Sequence, residues 1–272
     1  MKVLVLGSAG QIGSALVKYL KATNHEVVEF DIADNKFEDL RIPHVLSQTL
    51  VGIDFVFFLA FDVGGSIYLN KYQNTYDFIS NNMRIMSETF DSLKAFNIPF
   101  IFSSSQMSDL TNSSYGILKN IGEKYTFSLP KGKVVKFWNV YGHEEDLEKS
   151  HVITDFILMA KNDDHIQMRT SGTETRQFLY SKDCSECLTI LMENFNKIEE
   201  KSLDVSNFKW ISIFEIASII TSNFPKCTIS RGSYEDNLQR KQLKDPNRTI
   251  LKYWKPKTLI TEGIKNIIKQ YE

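Results

Sequence analysis

Two features of the sequence predict an α/β chain built on a doubly wound parallel sheet. Short apolar runs alternate with helical stretches through the first half, and a glycine-rich turn lies between the first run and the first helix. A third feature sets the scale. At 272 residues, with 42% hydrophobic and 24% charged side chains, the chain can bury a sizeable core as one large domain or two interlocked ones.

The run Lys2 to Leu6 predicts the first strand, and Ile12, Leu16, Val17 and Leu20 recur on one face of a helix behind it. His25 to Asp31 predicts a second strand. Asp54 to Ala60 predicts another, apolar throughout, as suits a strand covered by helices on both faces. Between these, Val45 to Leu50 reads as a short helix, and after Gly64-Gly65 one long helix runs from about Lys71 to Phe96. Pro99 to Ser103 restarts a strand, Ser114 to Phe127 is a helix, and Lys133 to Phe137 a further strand. After Gly142 the alternation loosens. A helix at Val152 to Ala160 precedes a strand pair around Ile166 and Phe178, then a helix at Asp183 to Phe195 and a strand at Leu203 to Val205. Ser212 caps a helix from Ile213 to Asn223, and Thr261 to Gln270 closes the chain as a helix.

Composition excludes several function classes. Thirty-two basic and 33 acidic side chains leave a net charge of -1, without the basic block that nucleic-acid binding needs. The longest apolar runs, such as Phe55 to Phe61, fall far short of a membrane span, and the N-terminus runs straight into a motif, so a soluble, cytoplasmic chain is expected. Three cysteines cannot all pair, and Cys184 and Cys187 lie in a helical stretch without a second pair at metal-ligand spacing. They read as buried or half-buried thiols, and no metal site is expected.

Gly7-Ser8-Ala9-Gly10-Gln11-Ile12-Gly13 follows a strand and opens a helix. In that setting one glycine turns the chain, another admits a pyrophosphate to the positive helix N-terminus, and the last lets helix and strand pack closely. Asp31 lies eighteen residues after Gly13 at the end of the second strand, where a carboxylate accepts from both hydroxyls of an adenosine ribose. A 2'-phosphate there meets a like charge, so NAD is expected rather than NADP. Asp39-Leu40 is a candidate for the adenine edge or a solvated loop.

Tyr115 and Lys119 stand at i and i+4 at the start of a helix and project from one face. A tyrosine with its usual pKa of about 10 is a poor base near neutrality, but an adjacent ammonium and a positive nicotinamide ring both favour the phenolate. The same spacing also fits a surface tyrosine beside a solvated lysine. Position favours chemistry, because the preceding strand ends in Ser103-Ser104-Ser105, whose last hydroxyl can hydrogen-bond a developing oxyanion or carbonyl.

With these residues in order, the chain resembles an extended short-chain dehydrogenase/reductase of the NAD-dependent epimerase/dehydratase family, in its nucleotide-sugar-modifying branch. The resemblance spans nearly the whole length. It includes the glycine loop, Asp31, Asp54 with Leu59-Ala60, Asn82, the serine strand end, Tyr115 with Lys119, Asn139-Val140-Tyr141-Gly142, Arg176 to Tyr180 with Asp183, and Tyr253-Trp254-Lys255-Pro256. It implies a Rossmann-type NAD domain over residues 1–142 and a smaller C-terminal α/β substrate lobe over 143–272, with parts of 176–206 returning to the sheet.

The resemblance also implies roles. Ser105, Tyr115 and Lys119 form the catalytic set. Gly7, Gly10, Gln11, Ile12, Gly13, Asp31, Ile32, Asp39, Leu40, Leu59, Ala60, Asn82 and Ser103, with Tyr115 and Lys119, serve the cofactor, Asn82 by supporting the backbone near it. Ser105, Gln106, Asn139, His151, Arg176 and Arg240 are the substrate candidates, the guanidinium forks suiting diphosphate oxygens. Both arginines also fit a solvated strand edge. The substrate class is a nucleotide-diphosphate sugar, and a homodimer through the tyrosine helix and the long helix before the serine strand is expected. Ile117, Leu118, Ile121, Ile79, Met83 and Ile85 or Met86 either supply that contact or face the sheet.

Within the branch, Val63-Gly64-Gly65 and Ser150-His151-Val152-Ile153 resemble GDP-fucose synthase and GDP-mannose 3,5-epimerase. Where those carry a cysteine base this chain has Met107, which argues against double epimerisation. His151 is either a retained polar contact or a helix N-terminal residue. Gln106-Met107 supplies neither carboxylate of a 4,6-dehydratase. Only nine residues separate Ser105 from Tyr115, against about two dozen in relatives, so contacts from that loop are absent or replaced. The leading expectation is an NAD-dependent epimerase acting by transient oxidation at C4. The alternatives are a one-way 4-ketoreductase or 4-dehydrogenase, which shares every catalytic residue, and a non-catalytic dinucleotide-binding sensor.

Overall fold

A computed structural model describes residues 1–235 and 244–271. Its centre is a parallel sheet, six-stranded among the described residues: β1 (Lys2–Leu6), β2 (Glu26–Phe30), β3 (Phe55–Phe58), β4 (Phe100–Ser105), β5 (Gly132–Phe137) and β10 (Ser202–Val205). The order across the sheet is β10-β5-β4-β3-β1-β2, so the winding reverses between β2 and β3, on either side of β1. A crevice at the C-terminal ends of β1 and β3 is the geometric result.

Alternation within each strand builds the two layers. Val3 and Val5 of β1 point to one face with Phe55 and Phe57 of β3, and are covered by Leu16, Val17 and Leu20 of α1 (Gln11–Ala22) and Cys184, Cys187 and Leu188 of α6 (Ser181–Glu193). Leu4 and Leu6 point to the other face with Val56, Phe58 and Phe102. There they meet Phe78, Met86 and Phe90 of α3 (Tyr76–Phe96) and Leu118 of α4 (Ser114–Ser128). A strand buried on both faces reads as an unbroken apolar run, which is why these strands are legible from composition.

A third apolar cluster belongs to the C-terminal elements. Ile153, Phe156 and Ile157 of α5 (Val152–Asp163) pack with Ile216 and Ile220 of α7 (Ile213–Thr221) and Ile264 and Ile267 of α8 (Ile260–Ile268). Ser212 caps α7 as expected: its hydroxyl accepts from Glu215 N at 3.1 Å, while the Glu215 carboxylate accepts from Ser212 N at 2.8 Å. The Asp183 carboxylate accepts from the main-chain nitrogens of Lys257 and Thr258, both at 2.8 Å, and ties the approach to α8 onto α6.

Three expectations are corrected. Residues 45–50 form successive turns rather than a helix: Pro43 and a left-handed His44 (φ 61°) interrupt the backbone, although Leu46 and Leu50 still reach the core. The single helix from Lys71 is two, α2 (Ser66–Tyr72) and α3. The break falls at Gln73–Thr75, where Thr75 accepts from Phe78 N to start α3 and the buried Gln73 accepts from Ser113 Oγ at 2.8 Å. Ile166 and Phe178 are not a pair. β7 (His165–Gln167) runs parallel to β12 (Thr228–Ser230), β8 (Thr175–Arg176) antiparallel to β11 (Ile211–Ser212), and β9 (Leu179–Tyr180) parallel to β6 (Val140–Tyr141). These two- and three-residue ladders are too short for a periodicity signal. Of the residues considered for a dimer contact, Met86 and Leu118 face the core, whereas Ile79 and Ile117 are exposed. Among the described residues no helix is long and apolar enough to cross a membrane, and the three cysteines are free, with Cys184 and Cys187 buried.

Candidate active site

The crevice opens into a cavity of about 740 Å³ that reaches from the glycine turn to the C-terminal elements. At one end Gly7 adopts φ +85°, and a Cβ on Gly13 would stand 2.0 Å from the Gly7 carbonyl oxygen, so both positions require glycine for the turn to enter α1. Asp31 is oriented toward this turn. Its Oδ2 accepts from Ala9 N at 3.0 Å and its Oδ1 from Ala33 N at 2.9 Å. Gln11 lines the cavity with a buried Nε2 that has no protein partner, and Asn139, held in a left-handed conformation (φ 43°), presents an unpartnered buried Nδ2 to the same space. Two orphaned donors in the cavity that the N-terminus of α1 borders fit phosphate oxygens such as those of a dinucleotide pyrophosphate.

The end of β4 and the start of α4 form the middle of the cavity. Of the residues between Ser105 and Tyr115, Gln106–Asp109 form a single 3-10 turn, and Ser113 then caps α4 by accepting from Gly116 N at 3.1 Å. Ser105 Oγ accepts from Met107 N at 3.1 Å, which fixes the start of the turn. Lys119 lies below Tyr115. Its Nζ donates to the Ser103 carbonyl at 2.8 Å and sits 3.8 Å from the centroid of the Phe61 ring, which in turn meets Tyr115 edge-on at 5.8 Å. Burial pulls the Lys119 ammonium down to about 7 against the support of Glu123, and pushes the Tyr115 phenol up to about 12 against the pull of Ser105. In this structure desolvation therefore governs both groups, where the helical spacing predicts that Lys119 lowers the tyrosine. The lysine is turned to Ser103 and Phe61, with its Nζ 5.9 Å from the Tyr115 ring centroid.

On the opposite wall His151 stands before α5. The buried Glu144 carboxylate meets its Nδ1 at 2.6 Å, and Ser150 donates to Asp155 of the same turn. The segment after β3 crosses to this wall. Gly65 N donates to the Lys149 carbonyl at 2.9 Å, and Asp62 Oδ1 accepts from Tyr68 Oη at 2.6 Å and from Lys149 Nζ at 3.2 Å.

The cavity thus gathers every sequence-derived site residue among the described residues except Asn82. Asn82 does not line it: fully buried behind the wall, its Oδ1 accepts from Asp62 N at 2.8 Å and its Nδ2 donates to the Asp62 and Phe78 carbonyls. It holds the backbone after β3. Arg240 lies outside the described residues. Arg176 lines the far end, its Nη1 donating to the Thr175 carbonyl at 2.7 Å. Glu144, Phe61 and the Asp62–Lys149 bridge escape a reading of the sequence, because each acts through a contact between segments and none sits in a spacing pattern.

A family model for the NAD dependent epimerase/dehydratase family matches residues 3–205, and the chain belongs to that family. It is 27% identical to the GDP-L-fucose synthase of Sinorhizobium fredii (strain NBRC 101917 / NGR234), over 307 aligned positions covering 100% of this chain and 94% of the relative. It is 23% identical to UDP-glucuronic acid decarboxylase 6 of Arabidopsis thaliana, covering 97% and 87%. The solved UDP-glucose 4-epimerase of Thermus thermophilus, in complex with NAD, superposes with a TM-score of 0.80 at 17% identity, covering 100% of this chain and 99% of that one. The superposition shows the fold. The expected class of protein, an NAD-dependent enzyme family acting on nucleotide sugars, is the class found, with several different reactions among its members.

Proposed function

We propose that the chain is an NAD-dependent nucleotide-sugar epimerase that acts by transient oxidation at C4. One observation carries this reading: a single cavity is lined by the glycine turn and Asp31, by Ser105, Tyr115 and Lys119, and by Asn139 and Arg176. Gly7, Gly10, Gln11 and Gly13 would hold the dinucleotide diphosphate and Asp31 its adenosine ribose, with Ile12, Ile32, Leu40, Leu59 and Ala60 as apolar walls. NAD, when bound, supplies the hydride acceptor and a positive ring beside the phenol. Tyr115 Oη takes the C4 hydroxyl proton and later returns it, while Ser105 Oγ donates to the sugar oxygen. Lys119, which lines the cavity with its Nζ on the Ser103 carbonyl, would hold ribose hydroxyls and balance the phenolate. Arg176 and Asn139 serve the diphosphate of the substrate, and Gln106 and His151 border the sugar.

Mass spectrometry of small molecules released on denaturing freshly purified protein tests the reading. Near-stoichiometric NAD or NADH is the expected result, and no hydride exchange across a broad nucleotide-sugar panel would overturn it in favour of a dinucleotide-binding sensor. The 27% identity to a GDP-L-fucose synthase favours a second reading, a one-way 4-ketoreductase or 4-dehydrogenase with exchangeable cofactor, which an empty site after purification would support. A homodimer formed through exposed Ile79 and Ile117 is part of the proposal. A sedimentation mass of one chain at micromolar concentration would remove it.

A further inference from the structure

The segment after β2 carries more charge than the ribose corner needs. Asp31 alone provides a carboxylate for ribose hydroxyls, yet Glu38 Oε2 accepts from the main-chain nitrogen of Asp31 at 2.8 Å and its Oε1 from Asn35 Nδ2 at 3.1 Å. Both acidic residues line the cavity. Two carboxylates, joined through one main-chain amide, therefore border the same corner. A little further along, Arg41 lines the cavity with its fork already engaged. Its Nε and Nη2 donate to the two oxygens of Asp39, each at 2.8 Å, and its Nη1 donates to Asn81 Oδ1 at 3.1 Å. The bidentate geometry is the strong form of this ion pair, and the guanidinium hydrogen bonds hold the Asp39 carboxyl below the usual carboxylate range.

We propose that Glu38 and the Asp39–Arg41 pair, together with Asp31, choose the dinucleotide: Glu38 repels a 2'-phosphate on the adenosine ribose, and Asp39 occupies the guanidinium that could receive one. The inference rests on the reading that this corner takes the adenosine ribose of NAD. A phosphate brings close to two negative charges, and half-buried carboxylates are screened less than exposed ones. An arginine fork is the group that best matches phosphate oxygens. With Asp39 and Asn81 in place, three of the five N–H donors of that fork are engaged, the bidentate edge among them. Removing the charge of Asp31 alone thus leaves one carboxylate against the phosphate and no cation to meet it.

Calorimetric titration of the full chain with NAD+ and NADP+ tests this without any turnover. Wild type is expected to bind NADP+ at least about 100-fold more weakly than NAD+. Glu38→Gln should keep NAD+ affinity within about 3-fold and tighten NADP+ about 10-fold. Adding Asp39→Asn should tighten NADP+ about 10-fold more, and adding Arg41→Ala to that pair should reverse the second gain. Asp31→Asn alone should weaken NAD+ and leave NADP+ weak. The inference is overturned if Glu38→Gln leaves the NAD+ to NADP+ ratio unchanged, if it loses both ligands equally and so acts only by holding the loop, or if Asp31→Asn alone brings the two to parity. A wild-type protein that binds neither NAD+ nor ADP-ribose would instead remove the ribose-corner reading on which the inference stands.

Discussion

Glu144 grips His151 at both ends: its Oε1 meets the ring Nδ1 at 2.6 Å, and its Oε2 accepts from the main-chain nitrogen at 3.0 Å. Its own backbone is pinned by Tyr271, whose hydroxyl accepts from Glu144 N at 2.8 Å and donates to Glu144 O at 2.9 Å. Burial pushes this carboxyl up, but the histidine contacts outweigh it and hold the carboxyl below its ordinary range. A group whose folded pKa is depressed contributes stability above its unfolded pKa and loses it as pH falls through the folded value. Wild type should therefore exceed Glu144→Gln by about 1–3 kcal/mol at neutral pH, with the gap closing below about pH 4. Urea melts at several pH values check this, and a gap that ignores pH would contradict it.

Tyr115→Phe should reduce turnover by about 10²–10⁴-fold, the range expected when a positioned proton-transfer group is removed. NAD affinity should stay within a few-fold, because the ring remains packed edge-on against Phe61. An active Tyr115→Phe protein would rule out the phenol as the base.

Lys119 makes a prediction of the same pH sign as Glu144 but in a higher window, and here the charged form costs stability instead of adding it. Burial holds its folded pKa at about 7, well under the usual lysine value, so between these two values the unfolded chain binds the extra proton and stability rises with pH. Lys119→Met has no such term. Its melting temperature, relative to wild type, should fall as pH rises from about 6 to about 9, below the range where lysines and tyrosines generally titrate. Parallel melting curves across that window would show that the ammonium carries no burial penalty.

Gly65→Ala would place a Cβ 2.1 Å from the Ser150 carbonyl oxygen, where the chain after β3 crosses to the wall bearing His151. The two segments must separate. A loss of about 1–3 kcal/mol is expected, in the range for a forced backbone clash, together with weaker sugar-nucleotide binding. Unchanged stability and KM would show that the crossing is slack.

The strands, α1, α4, the cap on α7 and the cofactor turn are legible in the sequence because each rests on a local rule: an apolar run, a glycine that only glycine can fill, a hydroxyl before a helix. What escapes is decided by contacts distant in sequence. Gln73 ends α2 because Ser113 draws it inward, and the short ladders of the C-terminal elements join segments such as 165–167 and 228–230 that no periodicity links. The same holds within the site. Tyr115 and Lys119 announce themselves at i and i+4, whereas Phe61 under the ammonium and Glu144 behind His151 are supplied by other elements. Spacing alone also gives the sign of a charge without its surroundings, which is why the direction of the Tyr115 shift differs from the one the pattern suggests.

β10 has a consequence for synthesis. It is the outer neighbour of β5 in the sheet, but it lies after α5 and α6 in the chain. A ribosome delivering this protein must therefore hold back the last strand until the elements between have emerged. Until then β5 offers its edge over Val134 to Phe137 to the cell as an unpaired strand rim, a template for pairing with another nascent copy. Chaperone demand during translation should peak in that interval and drop once residue 205 has cleared the exit tunnel.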